Sequence, residues 1–305
     1  MTRKTRNWLI TLFILASPFL FFLGLLLFWT AEPLPPLAPL PNPNGYDDLV
    51  KAGKAIRWDV WGYGSANLER LPEFVSTNET TLALARSALS NQCAVPLQFS
   101  EAYRTNHIRD LIAFRSLAQA LASEGEFAEM EHRFNDAAKS YLDTIHLGNE
   151  AERGGVVTDE MIGIPIRSLG LEQLQNIADR LDAKSCRETV KTLEMLDAQR
   201  QSWADVLQQE NAWSRRNFPN MRGQIVRLYY KLVYYRAREQ TYQRAFDIIK
   251  STQKKEGQLL IDLATRAYEL DKGHRPASLA DLVPEYLKAI PQDPVTGTNL
   301  LYSPQ

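Results

Sequence analysis

The chain has 305 residues, with 35 Lys and Arg against 36 Asp and Glu, a formal net charge of -1 and a hydrophobic fraction of 45%. That balance excludes a protein built on global attraction to nucleic acid or to a strongly acidic substrate. The length suits one large domain or two modest ones, and the apolar content is enough for a sizeable core.

Arg3, Lys4 and Arg6 precede a stretch, residues 8–29, that carries no charge. As a helix rising 1.5 Å per residue it would be roughly 33 Å long, enough for a hydrocarbon core of about 30 Å. Trp8 and Trp29 stand at its two ends, where amphipathic rings prefer the headgroup level. No basic residue follows until Lys51. The positive charge ahead of the span therefore predicts a cytoplasmic tip over 1–7 and a single-pass transmembrane helix over 8–29. Everything beyond would lie periplasmic or extracellular, tethered to the inner (cytoplasmic) membrane. Trp29 occupies a position where signal cleavage needs a small residue, so the expectation is a retained anchor. Residues 30–44 follow with prolines at 33, 35, 36, 39, 41 and 43. Proline fixes φ and favours an extended spacer, and 33–43 would reach up to about 34 Å at about 3.1 Å per residue.

Residues 45–257 read as a mainly α, extracytoplasmic bundle or hairpin-repeat domain. "STNETTLALARSALSN" offers Ser76, Thr77 or Asn78 as a cap, then Leu82, Ala85 and Leu89 at helical spacing. "HIRDLIAFRSLAQALASEGEF" is apolar around much of its circumference (Ile108, Leu111, Ile112, Phe114, Leu117, Ala118, Leu121), as a central bundle helix is. "NDAAKSYLDTIHLG" places Ala138, Leu142 and Ile145 on one stripe, and "IRSLGLEQLQNIADRL" places Ile166, Gly170, Leu174, Ile177 and Leu181 on another. Ser185 with Glu188 has capping-box spacing and predicts a long helix through Leu193, Leu196, Trp203 and Leu207, stopped by Pro219. A further helix is expected from about Gln224 to Ile249. Residues 258–305 form a helix plus a small cap. In that cap Ser278 and Asp281 make a capping box, Asp293-Pro294 and Gly297 punctuate a turn, and Leu300–Tyr302 make a short strand. Leu279, Leu282, Leu287 and Ile290 would then cover the end of the helical domain, over a core helix carrying Leu259, Ile261, Leu263 and Tyr268.

Two stretches carry a resemblance. "EHRFNDAAKSYLDTIHLG" resembles the second half of a tetratricopeptide-type helical hairpin, with Phe134, Ala137, Tyr141 and Leu147 near its packing places. Glu131 or His132 stands where such repeats hold glycine, and no second copy follows at about 34 residues. "LLIDLATRAYELDKG", "HRPASLADLVPEYL" and "IPQDPVTGTNLLYS" together resemble the C-terminal part of major pseudopilins of type II secretion. The wider pattern, "GYDDLVKAG" and then "TTLALARSAL" ahead of Cys-Ala-Val-Pro, resembles a group of uncharacterised membrane-anchored bacterial helical proteins over most of 45–305. These resemblances imply an architecture and a setting, and carry no activity.

No residue set assembles a catalytic, cofactor or metal site. Glu129-x-x-His132 is half of a di-iron motif whose second half is missing, with His146 and Glu150 the nearest supplement. Ser251-x-x-Lys254 lacks its companion motifs, and Gly62–Asn67 stops short of a dinucleotide fingerprint. Trp58 and Trp61 beside that loop either line a groove or anchor the loop. Cys93 and Cys186, an even pair in an exported chain, leave two readings: a disulfide, or two separate buried thiols. In the second, Cys186 would be a free thiol at a helix N-terminus between Lys184 and Arg187, where its pKa is lowered.

The most unusual run is 215–255, with eleven Lys and Arg against Glu239 and Asp247, and with Tyr229, Tyr230, Tyr234, Tyr235 and Tyr242 interleaved. Arg227, Lys231, Arg236, Arg238 and Arg244 are candidates for contact with an anionic surface. The competing reading, and the favoured one, is an amphipathic helix whose Ile225, Leu228, Leu232, Tyr235, Tyr242, Phe246 and Ile249 face the core. The expected partners are the membrane and other extracytoplasmic proteins, with no nucleic acid and no cofactor. The function expected is a non-catalytic interaction scaffold. Its alternatives are an accessory of secretion or pilus machinery, or a metal- or thiol-dependent enzyme using Glu129, His132, His146, Glu150 or Cys186.

Overall fold

Asn44 opens α1 (Gly45–Ala55), the first helix of the folded domain, by accepting from the Tyr46 N–H, and Asp47 and Asp48 favour its positive N-terminal end. The same side chain bonds Ala94 on both sides, donating to its carbonyl at 2.8 Å and accepting from its N–H at 3.0 Å. The last residues of the proline-rich segment are thus docked on the domain. The computed structural model describes residues 8, 12–14, 16–24, 39–59, 68–98, 101–217 and 221–302.

Pro72 sits in the first turn of α2 (Leu71–Leu89), which buries Leu71, Phe74, Asn78, Leu82, Ala85 and Leu89 along one stripe. Asn78, expected as a cap, lies inside this helix. Its side chain accepts from the Arg57 N–H and donates to the Phe74 carbonyl, so a core position holds the 56–58 segment. α3 (Glu101–Met130) is the long central helix, and it buries Leu111, Phe114, Leu117, Ala118 and Leu121. Ile108 and Ile112, expected inside, are exposed. Just past the end of α3, His132 adopts φ 58, the left-handed conformation that more often falls to glycine at a helix C-terminus.

α4 (Phe134–Glu152) and α5 (Val157–Ile177) form the next hairpin. They pack so closely that a Cβ on Gly170 would lie 2.6 Å from the Tyr141 carbonyl oxygen. α6 (Ala183–Ala198) is capped by Asp182, which accepts from the Ser185 N–H at 2.7 Å, rather than by Ser185 itself. The long helix expected through Trp203 is divided. Ser202 and Asp205 bond one another's backbone N–H groups, a reciprocal cap that starts α7 (Trp203–Asn217) afresh. α8 (Met221–Val233) is followed, after Tyr234, by α9 (Tyr235–Lys272), which runs unbroken through the boundary expected at 257/258.

Two apolar clusters result. The first joins α1, α2 and α3 with Leu147, Ala151 and Ile166. The second joins α4, α5, α6 and α9 with Leu282, Tyr286 and Leu287 of the tail. Of the four residues expected over the core, Leu282 and Leu287 are buried in this cluster, Leu279 packs against it and Ile290 does not join it, while Ser278 and Asp281 form their capping box. Asp293 accepts from the N–H groups of Val295 and Thr296, and Gly297 turns the chain at φ 72. Lys254 and those two N–H groups hold the Asp293 carboxyl down at about 2. The expected strand at Leu300–Tyr302 is replaced by a single antiparallel bridge, Gln292 with Asn299, and the described residues form no β-strand.

Of the span 8–29, residues 9–11, 15 and 25–29 lie outside the described residues. Trp8, 12–14 and 16–24 are helical, and Trp8, Leu12, Phe13, Ile14, Phe19, Leu20, Phe21 and Phe22 are exposed. Among the described residues no helix is long and apolar enough to cross a membrane.

Candidate functional site

Where α8 passes into α9, a large apolar surface is left uncovered. Tyr234 interrupts the helix yet keeps its bonds, donating to the Tyr230 carbonyl and accepting from the Arg238 N–H, so the two helices form one bent arm. Ile225 is 46% exposed, Leu232 70% and Tyr235 57%, and Val226, Tyr229, Tyr230, Val233 and Tyr234 are exposed as well. This corrects the favoured sequence reading, which turned Ile225, Leu232 and Tyr235 into the core. Burial along the arm begins only at Ala245 and Ile249, with Tyr242 and Phe246 half-buried. The periodicity is that of a core helix, but among the described residues nothing buries its apolar face before Ala245; α7 meets the arm through Asn211, which accepts from Arg238. Leu228 and Trp61, like Gly62–Asn67, are not among the residues whose side chains the structure describes.

The cations predicted for an anionic surface are gathered on this arm. Lys231, Arg236 and Arg244 are exposed, and Arg227 and Arg238 are half-buried. Arg238 donates to Asn211 at 3.2 Å and lies 4.9 Å over the Tyr242 ring. Burial pushes the Arg227 guanidinium down from its usual range, and the charges of Arg215 and Arg238 push it further. Tyr230 stacks on Tyr234 at 5.6 Å and meets the edge of Tyr229 at 5.8 Å, so the aromatic tip is ordered by its own rings.

The residues that might have carried an enzyme are dispersed. The Tyr141 hydroxyl donates to Glu129, and His132 is an exposed turn residue, so that half-motif points at no common centre. No group of three or more metal-ligating side chains occurs among the described residues. Lys254 pairs with Asp293 at 2.7 Å rather than with Ser251. Trp58 donates to Ser116 and stacks on Phe74 at 4.9 Å, the anchoring alternative of the sequence reading. Cys93 and Cys186 are free and buried in different apolar clusters, and the structure does not bring them together. Burial, with the Glu150 charge adding, pushes the Cys93 thiol up to about 12. Burial also takes Cys186 up to about 11, outweighing Arg266 and Arg187, so the helix N-terminus does not activate it.

His146 does meet Glu150, at 3.5 Å. Beside them Cys93 and Arg153 line an open cleft of about 540 Å³, in which Arg153 holds Glu150 with both nitrogens of its fork. Burial raises the Glu150 pKa, but the hydrogen bond with His146 and then that with Arg153 outweigh it, so the pKa is lowered. Burial there favours the protonated thiol, the opposite of what activates a cysteine nucleophile.

Two buried polar groupings were illegible in the sequence. His107 and Asp159, 52 positions apart, share a 2.5 Å hydrogen bond. The other Asp159 oxygen accepts from the Val156 N–H, so one carboxylate fixes α3 to the start of α5. Arg167 of α5, 1% exposed, bonds Glu152 of α4 and lies 3.4 Å from Glu160. Arg200 bonds Glu256 of α9, and its charge reaches Glu152. Burial drives the Glu152 carboxyl up to about 8, with Arg167 opposing and Glu160 adding. These groups tie α4, α5, the 199–202 connection and α9 together. No family model, curated protein or solved structure matches the chain.

Proposed function

We propose that the chain is a membrane-tethered helical module that acts by contact rather than by catalysis, with the α8–α9 corner as its contact surface. The observation that carries this reading is the set of exposed apolar side chains Ile225, Val226, Tyr229, Tyr230, Leu232, Val233, Tyr234 and Tyr235. Contiguous apolar surface of this kind mark interaction sites on folded proteins, because leaving it in water is unfavourable. The tether is the uncharged stretch 8–29, with Arg3, Lys4 and Arg6 holding its short end in the cytoplasm and the helical domain outside. The pseudopilin-like tail acts as a cap, since Leu282, Tyr286 and Leu287 are spent on the core. The test is photo-crosslinking in intact membranes, with the reactive group placed at Tyr229 or Leu232 and, as a control, at the exposed Leu84 of α2. Adducts at the corner, to lipid or to protein, and none at Leu84 are expected. An unmodified corner beside a modified Leu84 refutes the contact surface.

A further inference from the structure

We infer that the α8–α9 corner docks on an anionic bilayer surface, that of the membrane holding the chain's own N-terminal span. The inference rests on the reading of the corner as a contact surface and names its occupant. The first argument is shape. At 100° per residue, Leu232, Ile225, Tyr229, Val233, Val226 and Tyr230 fall within one arc of about 160° on α8, and Arg227 and Lys231 fall outside it. All six of those arc residues are exposed. An apolar arc bordered by cations is the form of a helix that lies in the plane of an interface, with its rings at the headgroup level.

The second argument is charge. Residues 221–246 hold six Lys and Arg (222, 227, 231, 236, 238, 244) against the single carboxylate of Glu239. Arg227 already feels the repulsion of Arg215 and Arg238. A second copy of this chain would bring two such surfaces face to face and add to that repulsion. An anionic headgroup layer relieves it, and each cation near such a surface is attracted within about a Debye length. The third argument is reach. The last residue of the span is Trp29, and Pro41 already lines a cleft of the folded domain with Cys93 and His146. The intervening residues 30–40 extend about 34 Å as a polyproline spacer at about 3.1 Å per residue. So short a tether keeps the domain beside the bilayer at high effective concentration, where a weak surface contact is occupied.

The test uses the full chain held by its own span in lipid nanodiscs. One set is pure phosphatidylcholine and the other contains one third phosphatidylglycerol. Hydrogen exchange is followed in peptides covering 223–238. Exchange there should be several-fold slower in the anionic discs, and the difference should vanish in 0.5 M salt and in the variant K231E/R236E/R244E, whose three sites are exposed. Equal exchange in the two lipids overturns the lipid assignment, with or without the variant folding. If the corner is then slowed in both sets and the slowing depends on protein concentration, the occupant is another copy, and the contact-surface reading survives. If the corner is fast in both sets, the crosslinking at Tyr229 and Leu232 decides that reading separately.

Discussion

Replacing Gly170 with alanine sets two effects of opposite sign against each other. In an exposed helix interior the change stabilises by about 1 kcal/mol, since glycine pays more backbone entropy. At Gly170 the new methyl would lie 2.6 Å from the Tyr141 carbonyl oxygen, 2.7 Å from Ile145 Cγ1 and 3.1 Å from the Ile145 nitrogen. Ordinary contact needs about 3.4–4 Å, so α4 and α5 must separate by the better part of an ångström. Two of the three obstructing atoms are backbone and cannot rotate away. Overpacking of a tight core costs about 1–3 kcal/mol, and the buried Tyr141 and Ile145 lose contacts besides. The expected net effect is a loss of about 1–2 kcal/mol, or a Tm lower by roughly 2–6 °C for a chain of this size. Gly257→Ala is the control. There the nearest atom is Leu300 Cδ1 at 2.7 Å, the free end of a side chain, so the propensity gain should roughly balance the adjustment. The assay is the 222 nm thermal melt of the purified full chain in detergent. A G170A melt at or above wild type, or level with G257A, would refute the close α4–α5 packing.

Leu282→Ala should lower stability by about 2–5 kcal/mol, because Leu282 is wholly buried on the second cluster. Leu301→Ala at the exposed end of the same tail should be silent, and equal melts for the two variants would mean that the tail is not a cap. Both cysteines should resist alkylation at pH 8 in native protein and react fully in denaturant, given thiols pushed to about 12 and about 11. A joined Cys93–Cys186 peptide in non-reducing mass mapping would overturn their separation. Glu152, raised by burial from 4.5 to about 8, is protonated in both folded and unfolded chain below pH 4.5 and there costs nothing. Above that pH the unfolded chain ionises first, so stability should fall by up to about 1.4 kcal/mol per pH unit until about pH 8 and then level off. Urea midpoints measured from pH 4.5 to 8.5 test this, and an unchanged slope in E152Q would assign the pH dependence elsewhere.

Much of the architecture was legible because it is written in local chemistry. Apolar residues recurring at helical spacing marked α2 through α6, and Ser278 with Asp281 marked the short turn of the tail, since a capping box is complete within four residues. Where two local signals competed, sequence reasoning chose wrongly. Ser185 and Asp182 both suit a helix start, and the Ser202–Asp205 box is masked by an apolar pattern that runs on through Trp203. The anion-surface cations were readable as a charge run, but His107 with Asp159, Arg167 with Glu152 and Arg200 with Glu256 were not. Each pair is joined only by the path of the chain through space, and no spacing rule links residues that lie 52, 15 and 56 positions apart. The sequence by itself determined that Ile225 and Leu232 would share one helical face. Only the tertiary structure decided that the face is left bare. A 3.6-residue period fixes which side chains point together, whereas burial depends on whether another element packs over them, and the apolar face of α8 is left exposed among the described residues.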